Sequence, residues 1–270
     1  MNVSKRFSDR AKANLRRFQK VLESARARDV NESDTCVIIS DFLSEVLGYD
    51  KYAEVTTELA IRGTFCDLAI KLNGRVQFLI EVKSAGTDLR ENHLRQACDY
   101  AAKEGVEWVL LTNGIVWKAH RMRFEQPVRN EEVFEIDLLD PAAKPAQLIE
   151  RLYLISREGA TSTAIADYWQ HKEATSRYVI AQILLEPVII AQVRRILRSQ
   201  FGGLKVSEEE VAELLRTEVI KRDALEGEKA VAAQKLLKRA ARKREREKVT
   251  PGPEAPAAPA VLPASPAIPS

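Results

Sequence analysis

The sequence predicts a mixed α/β fold followed by an all-α region, and three observations carry that reading. Two apolar, alternating segments flank Asn73-Gly74 as a β-hairpin. Segments of helical period stand on both sides of it, and beyond Pro141 and Pro145 every strong signal is helical. The predicted organisation is a basic amphipathic helix over 1–30, a mixed-sheet domain over 31–140, a helical subdomain over 141–225, a charged helix over 226–249 and a disordered Pro/Ala-rich tail over 250–270. At 270 residues the chain can bury one good core and carry an appendage.

From Phe7 the apolar residues Ala11, Leu15, Phe18 and Leu22 recur at steps of three and four, with Arg and Lys on the other face. Asn31 caps a second helix, with Asp34 three residues on, and Gly48 ends it after Leu47. Residues 54–61 form a first strand, the hairpin follows, and Leu89 to Lys103 reads as a helix stopped by Gly105. Trp108 to Thr112 and Ile115 to Arg121 are strands around Asn113-Gly114, and Val133 to Leu138 adds an edge strand.

In the hairpin, Cys66, Leu68, Ile70 and Leu72 fall on one side of their strand, and Phe78, Ile80 and Val82 on one side of the next. A strict two-residue loop at Asn73-Gly74 would set Asp67 opposite Ile80 and mix apolar with polar faces. A three-residue loop, with Gly74 as a G1 bulge, instead brings Leu68 and Ile70 beside Phe78 and Ile80. Asp67, Glu81 and Lys83 then converge on the opposite face. Two carboxylates and an ammonium on a partly buried sheet are costly unless they bind something, and oxygen donors of this kind suit Mg²⁺ or Mn²⁺.

Asp67, then Glu81-Val82-Lys83 after a turn, resembles the D…(D/E)xK signature of the PD-(D/E)xK nuclease superfamily, with Cys66 at the position where a proline often precedes the Asp. Asn31-Glu32, Leu47-Gly48-Tyr49-Asp50, Gln96-Ala97-Cys98-Asp99-Tyr100 and Thr112-Asn113-Gly114 with Trp117 extend the resemblance to the N-terminal nuclease domain of type I restriction enzyme R subunits, over roughly residues 30 to 140. The resemblance implies a restriction-endonuclease-like core that hydrolyses DNA with Mg²⁺ or Mn²⁺. It implies Asp67, Glu81 and the Val82 carbonyl as metal ligands, and Lys83 and Gln96 as groups that orient water or phosphate. It implies a glutamate, here Glu32, reaching the site from a helix, and Gln96 with Tyr100 as a QxxxY element beside the carboxylates.

Each residue also has a plainer reading. Glu32 can be a first-turn acid favoured by the helix dipole, Tyr100 can simply pack, and Gln96 can be solvated. His93, Gln96, Tyr100 and Lys103 share a helical stripe distinct from Leu94, Ala97 and Ala101. The alternative function is a catalytically silent nuclease-fold module that binds DNA or protein.

The remaining composition narrows the classes. Residues 1–30 carry nine Lys/Arg against three Asp/Glu, and 235–248 is again basic, which suits either nucleic acid or a solvated helix face. Cys36, Cys66 and Cys98 lack CxxC spacing, and His93, His120 and His171 lack ligand spacing, so reduced thiols and no zinc are expected. No apolar run reaches the length of a membrane span, which points to a soluble, cytoplasmic protein. The sequence contains no GxxxxGK[ST], so no ATP-driven translocation is expected of it. The Gly202-Gly203 turn between two helices, the second opened by Ser207 with Glu210 as a capping box, is either an αα packing unit or a helix-turn-helix, and the helical subdomain could hold a protein partner. Residues 250–270 hold seven of the eleven prolines and no core-forming period.

Overall fold

Six strands lie side by side in chain order: β1 (Val55–Ile61), β2 (Thr64–Leu72), β3 (Arg75–Val82), β4 (Trp108–Thr112), β5 (Val116–Arg123) and β6 (Arg129–Asp137). Neighbours are antiparallel except β3 and β4, which are parallel and joined by a crossover. The computed structural model describes residues 2–61 and 64–249. Its contacts divide the chain into two units, Met1–His171 and Lys172–Ser270.

The hairpin has the expected register by an unexpected route. Leu68 pairs with Ile80 and Ile70 with Phe78, but Leu72 also pairs directly with Arg75, so the loop is Asn73-Gly74 alone. Both loop residues have positive φ, 51° and 75°, the type I′ geometry whose twist matches the flanking strands. The odd residue sits inside β3: pairing slips between Ile70 and Lys71, leaving Gln77 as a bulge. The expected three-residue loop is therefore replaced by a two-residue turn plus a strand bulge.

One face of the sheet is covered by α1 (Lys5–Ala27), α2 (Glu32–Glu45), α4 (Pro145–Leu154), α5 (Arg157–Thr161) and α6 (Ala164–Ala174). Phe7, Phe18, Ile39, Phe42, Leu152 and Ile165 meet Leu68, Ile70, Phe78 and Trp117 in one cluster. Each such side chain contributes about 1.5–3 kcal/mol by leaving water. The other face is covered by a 3₁₀ turn (Glu91–Leu94) and α3 (Arg95–Glu104), packed on Ala69, Leu79, Val109, Leu111 and Met122.

Cys66 joins that second cluster although Leu68, two residues on, lies in the first. The strict alternation expected from Cys66 to Leu72 breaks at Asp67. A further difference concerns the boundaries. The apolar residues of α4 to α6 finish the first core, so the first unit runs to His171 rather than stopping at 140. The first helix is likewise an integral layer, with Phe7, Ala11 and Ala25 fully buried. Arg10 on α1 donates to the Val46 and Leu47 carbonyls at 3.1 Å and makes a two-pronged ion pair with Glu158 on α5 at 2.8 and 2.7 Å. It thereby satisfies the open end of α2.

The second unit holds α7 (Arg177–Leu184), α8 (Pro187–Gln200), α9 (Glu208–Leu214), a π-type turn (Leu215–Val219), α10 (Arg222–Leu225) and α11 (Glu228–Val249). Its apolar clusters are small, Ala181 with Ile220 and Ala224, and Ile190 with Val211 and Ala212. Ser207 caps α9 by accepting the Glu210 N–H at 3.1 Å, as its spacing predicts. The predicted tail over 250–270 lies outside the described residues.

Two stability measurements follow from this core. Gly114 has φ +86°, and an added Cβ would come within 2.7 Å of Leu22 Cδ2. Gly114→Ala is expected to cost about 1–3 kcal/mol in denaturant unfolding. Burial, reinforced by the Lys118 charge, pulls the His120 imidazole down to about 4. The unfolded chain then binds a proton that the folded chain refuses, so stability is full above about pH 6.5 and falls toward pH 4, at up to about 1.4 kcal/mol per pH unit. His120→Leu should flatten that slope.

Candidate active site

The site forms where β3 runs out. Val82 donates its N–H to Asp67 Oδ2 at 2.7 Å, so the β2 aspartate is held against the end of β3. Glu81, only 5% exposed, precedes that residue, and Lys83 follows it. The Lys83 backbone N–H donates to the Thr112 carbonyl at 2.8 Å, which fixes the chain beyond the strand. Its ammonium donates to Glu81 Oε1 at 2.9 Å and to Glu32 Oε2 at 3.2 Å, from the first turn of α2.

Four residues predicted from sequence, Glu32, Asp67, Glu81 and Lys83, are thus brought together around Val82. Asp67 does not lie on the sheet face opposite Leu68 and Ile80, as simple alternation suggests. Asp67 instead lines a cavity of about 380 Å³ together with Leu68 and the α2 residues Glu32, Ser33, Cys36 and Ser40. The break in alternation at Asp67 is what turns its carboxylate toward α2.

The Glu81–Lys83 pair is unequal. Burial raises the Glu81 pKa, the Lys83 hydrogen bond opposes that, and the negative Asp67 adds to the rise, so the net shift is upward. For Lys83, burial works against the charge, but Glu81 and Glu32 more than offset it and the ammonium is favoured. The more deeply buried carboxylate thus remains under-compensated by a lysine that is itself well held. Burial, then Asp67 and Glu32, likewise push the Cys36 thiol up to about 12.

The donor set fits a hard divalent cation. Among the described residues Glu81 Oε2 is buried with no hydrogen-bond partner. A second carboxylate stands close enough to shift its pKa. A cation such as Mg²⁺ or Mn²⁺ accepts one or two carboxylates and completes its shell with water. Among the described residues no group of three or more His, Cys, Asp and Glu is gathered as a metal cage.

Gln96 and Tyr100 stand on α3, in the layer over the other sheet face. Gln96 is exposed. Tyr100 is 1% exposed and packs with Leu94, Ala97, Ala101 and Cys66, so it belongs to the apolar stripe rather than to the polar one expected of it. Its hydroxyl, among the described residues, is buried without a hydrogen-bond partner.

The Thr112-Asn113-Gly114 segment does more than turn the chain between β4 and β5. Asn113 Nδ2 donates to the Thr87 carbonyl at 2.9 Å, and its Oδ1 accepts the N–H groups of Ile115 and Val116 at 3.0 and 2.8 Å. The turn therefore pins the loop that follows Lys83. Trp117 Nε1 donates to the Gly114 carbonyl at 2.9 Å from inside the first core. Cys36, beside four charged groups, carried no sequence signal beyond its apolar position.

Residues 37–136 match the Type I restriction enzyme R protein N terminus family. The match covers β1 to β6 and most of α2, so this part of the chain is restriction-enzyme-like and carries Asp67, Glu81, Val82, Lys83, Gln96 and Tyr100. Glu32 lies just outside it. No curated protein and no solved structure gives a significant match. Among the described residues no helix is long and apolar enough to cross a membrane.

The charge surroundings of Cys36 give a direct reading of the site. Alkylation at pH 8, located by mass spectrometry, should be slow at Cys36 and faster in Asp67→Asn, which removes one of the negative charges holding the thiol protonated.

Proposed function

We propose that the first unit, with its restriction-enzyme-like region, is a Mg²⁺- or Mn²⁺-dependent endonuclease that hydrolyses DNA phosphodiester bonds. The observation that carries this reading is the buried Glu81 carboxylate, one oxygen held by Lys83 and the other without a hydrogen-bond partner among the described residues, beside Asp67. Burying such a charge with half its capacity unmet is unfavourable in a protein that only needs to fold.

Asp67, Glu81 and the Val82 carbonyl would hold the ion. When bound, it withdraws charge from a phosphoryl oxygen and lowers the pKa of an attacking water. The Lys83 ammonium, kept charged by Glu81 and Glu32, donates hydrogen bonds to the negative phosphoryl oxygens or orients the water. Glu32 sets where that ammonium points. Water adds to phosphorus, one P–O ester bond breaks, and the departing oxygen takes up a proton. Gln96 would hold the water or the scissile phosphate. Tyr100 supports α3 against the sheet.

The test uses purified protein with plasmid and single-stranded DNA, with and without Mn²⁺. Cleavage should require the ion and fall by about 100-fold or more in Asp67→Ala and in Lys83→Ala, with the folded circular-dichroism signal retained. Undiminished cutting by Lys83→Ala would refute the assignment. In a parallel melting experiment Mn²⁺ should raise the Tm of the wild type and not that of Glu81→Gln, because only a ligand bound to the folded state stabilises it.

A further inference from the structure

We infer that the helical unit carries a nucleic-acid phosphate clamp on α8, built from Arg195 and Arg198 with Arg194 beside them. The inference rests on the nuclease reading for its choice of polyanion, since DNA is the substrate proposed for the first unit.

Charge is divided unevenly between the two units. Met1–His171 carries 24 Lys/Arg against 26 Asp/Glu, whereas Lys172–Ser270 carries 18 against 13. The unit with the carboxylate site is therefore slightly negative and cannot attract a polyanion by its net charge. The helical unit can.

Within that unit the excess falls on two stretches, 235–248 with eight Lys/Arg against two Asp/Glu, and the one around α8. From Pro187 to Ser207 the sequence has Arg194, Arg195, Arg198 and Lys205 and no acidic residue. Packing decides which way they face. Ile190, Val193 and Leu197 of α8 meet Val211 and Ala212 of α9, so the apolar stripe is used up inside the helix pair. The arginines, one and three or four residues apart, then line one cavity of about 550 Å³ with Ser199, Gly203 and Glu208.

Their engagement is graded. Arg194 is tied to Glu208 at 3.1 Å. Among the described residues Arg195 donates to the neutral Gln192 amide oxygen, at 3.2 Å. Arg195 and Arg198 are both exposed. Guanidinium groups at this spacing can fork onto successive phosphate oxygens, and the Ser199 hydroxyl adds a further donor to the same cavity. A solvated helix face normally intersperses acids among its bases; α8 contains none.

The test is equilibrium binding of a fluorescent DNA duplex by the full chain in EDTA, where no cleavage occurs, over 50–200 mM salt. Arg195→Ala/Arg198→Ala should bind more weakly, and its slope of log K against log salt should be shallower by about 1.8, or about 0.9 per lost phosphate contact. Arg222→Ala, whose charge is already paired with Glu226, should bind like the wild type. An unchanged slope in the double arginine variant, or equal competition by polyglutamate at matched charge, would overturn the clamp. Arginine-dependent DNA binding by a protein that cuts nothing with Mn²⁺ would leave the clamp standing while the nuclease reading fell. Cutting with an unchanged slope would do the reverse.

Discussion

The site at the end of β3 depends on holding the Glu81 carboxylate where an apolar residue would pack more cheaply. At 5% exposure the carboxylate loses most of its hydration, and one ammonium 2.9 Å away does not restore it. Everything nearby serves to hold that arrangement in place. The bulge at Gln77 aligns β2 with β3, the Asp67–Val82 bond clamps the strand ends, and Glu32 reaches down from α2 to share Lys83.

The supporting turn explains why residues distant in sequence act together. Asn113 spends both ends of its amide on backbone partners, joining the β4–β5 turn to the loop beyond Lys83. Trp117 anchors the same turn in the core, and Gly114 lets it approach α1 closely. Disturbing this turn would move Lys83 through the Thr112 carbonyl without touching a charged group.

The two units divide the physical tasks. The first supplies a large two-sided core able to hold charges rigidly. Among the described residues the second has small apolar clusters, which suffice to orient helices and leave their surfaces rich in Lys and Arg. In the proposed reading, chemistry belongs to the rigid unit and long-range attraction of the polyanion to the basic one.

The sequence by itself determined the hairpin, several helix starts and the apolar faces that pair. Alternation gave the hairpin, Asn31 and Ser207 marked helix starts that the structure keeps, and the pairing of Leu68 with Ile80 followed from matching apolar faces. These are local or period-two signals, which a single strand or helix already contains. The tertiary structure alone decided that the odd residue is a bulge at Gln77, that Cys66 and Leu68 part to opposite clusters, and that Tyr100 is core. It also decided that α4 to α6 complete the sheet's core. The physical reason is the same in each case: which side of a strand or helix is buried depends on what other segments arrive to cover it, and that information lies far away in the chain.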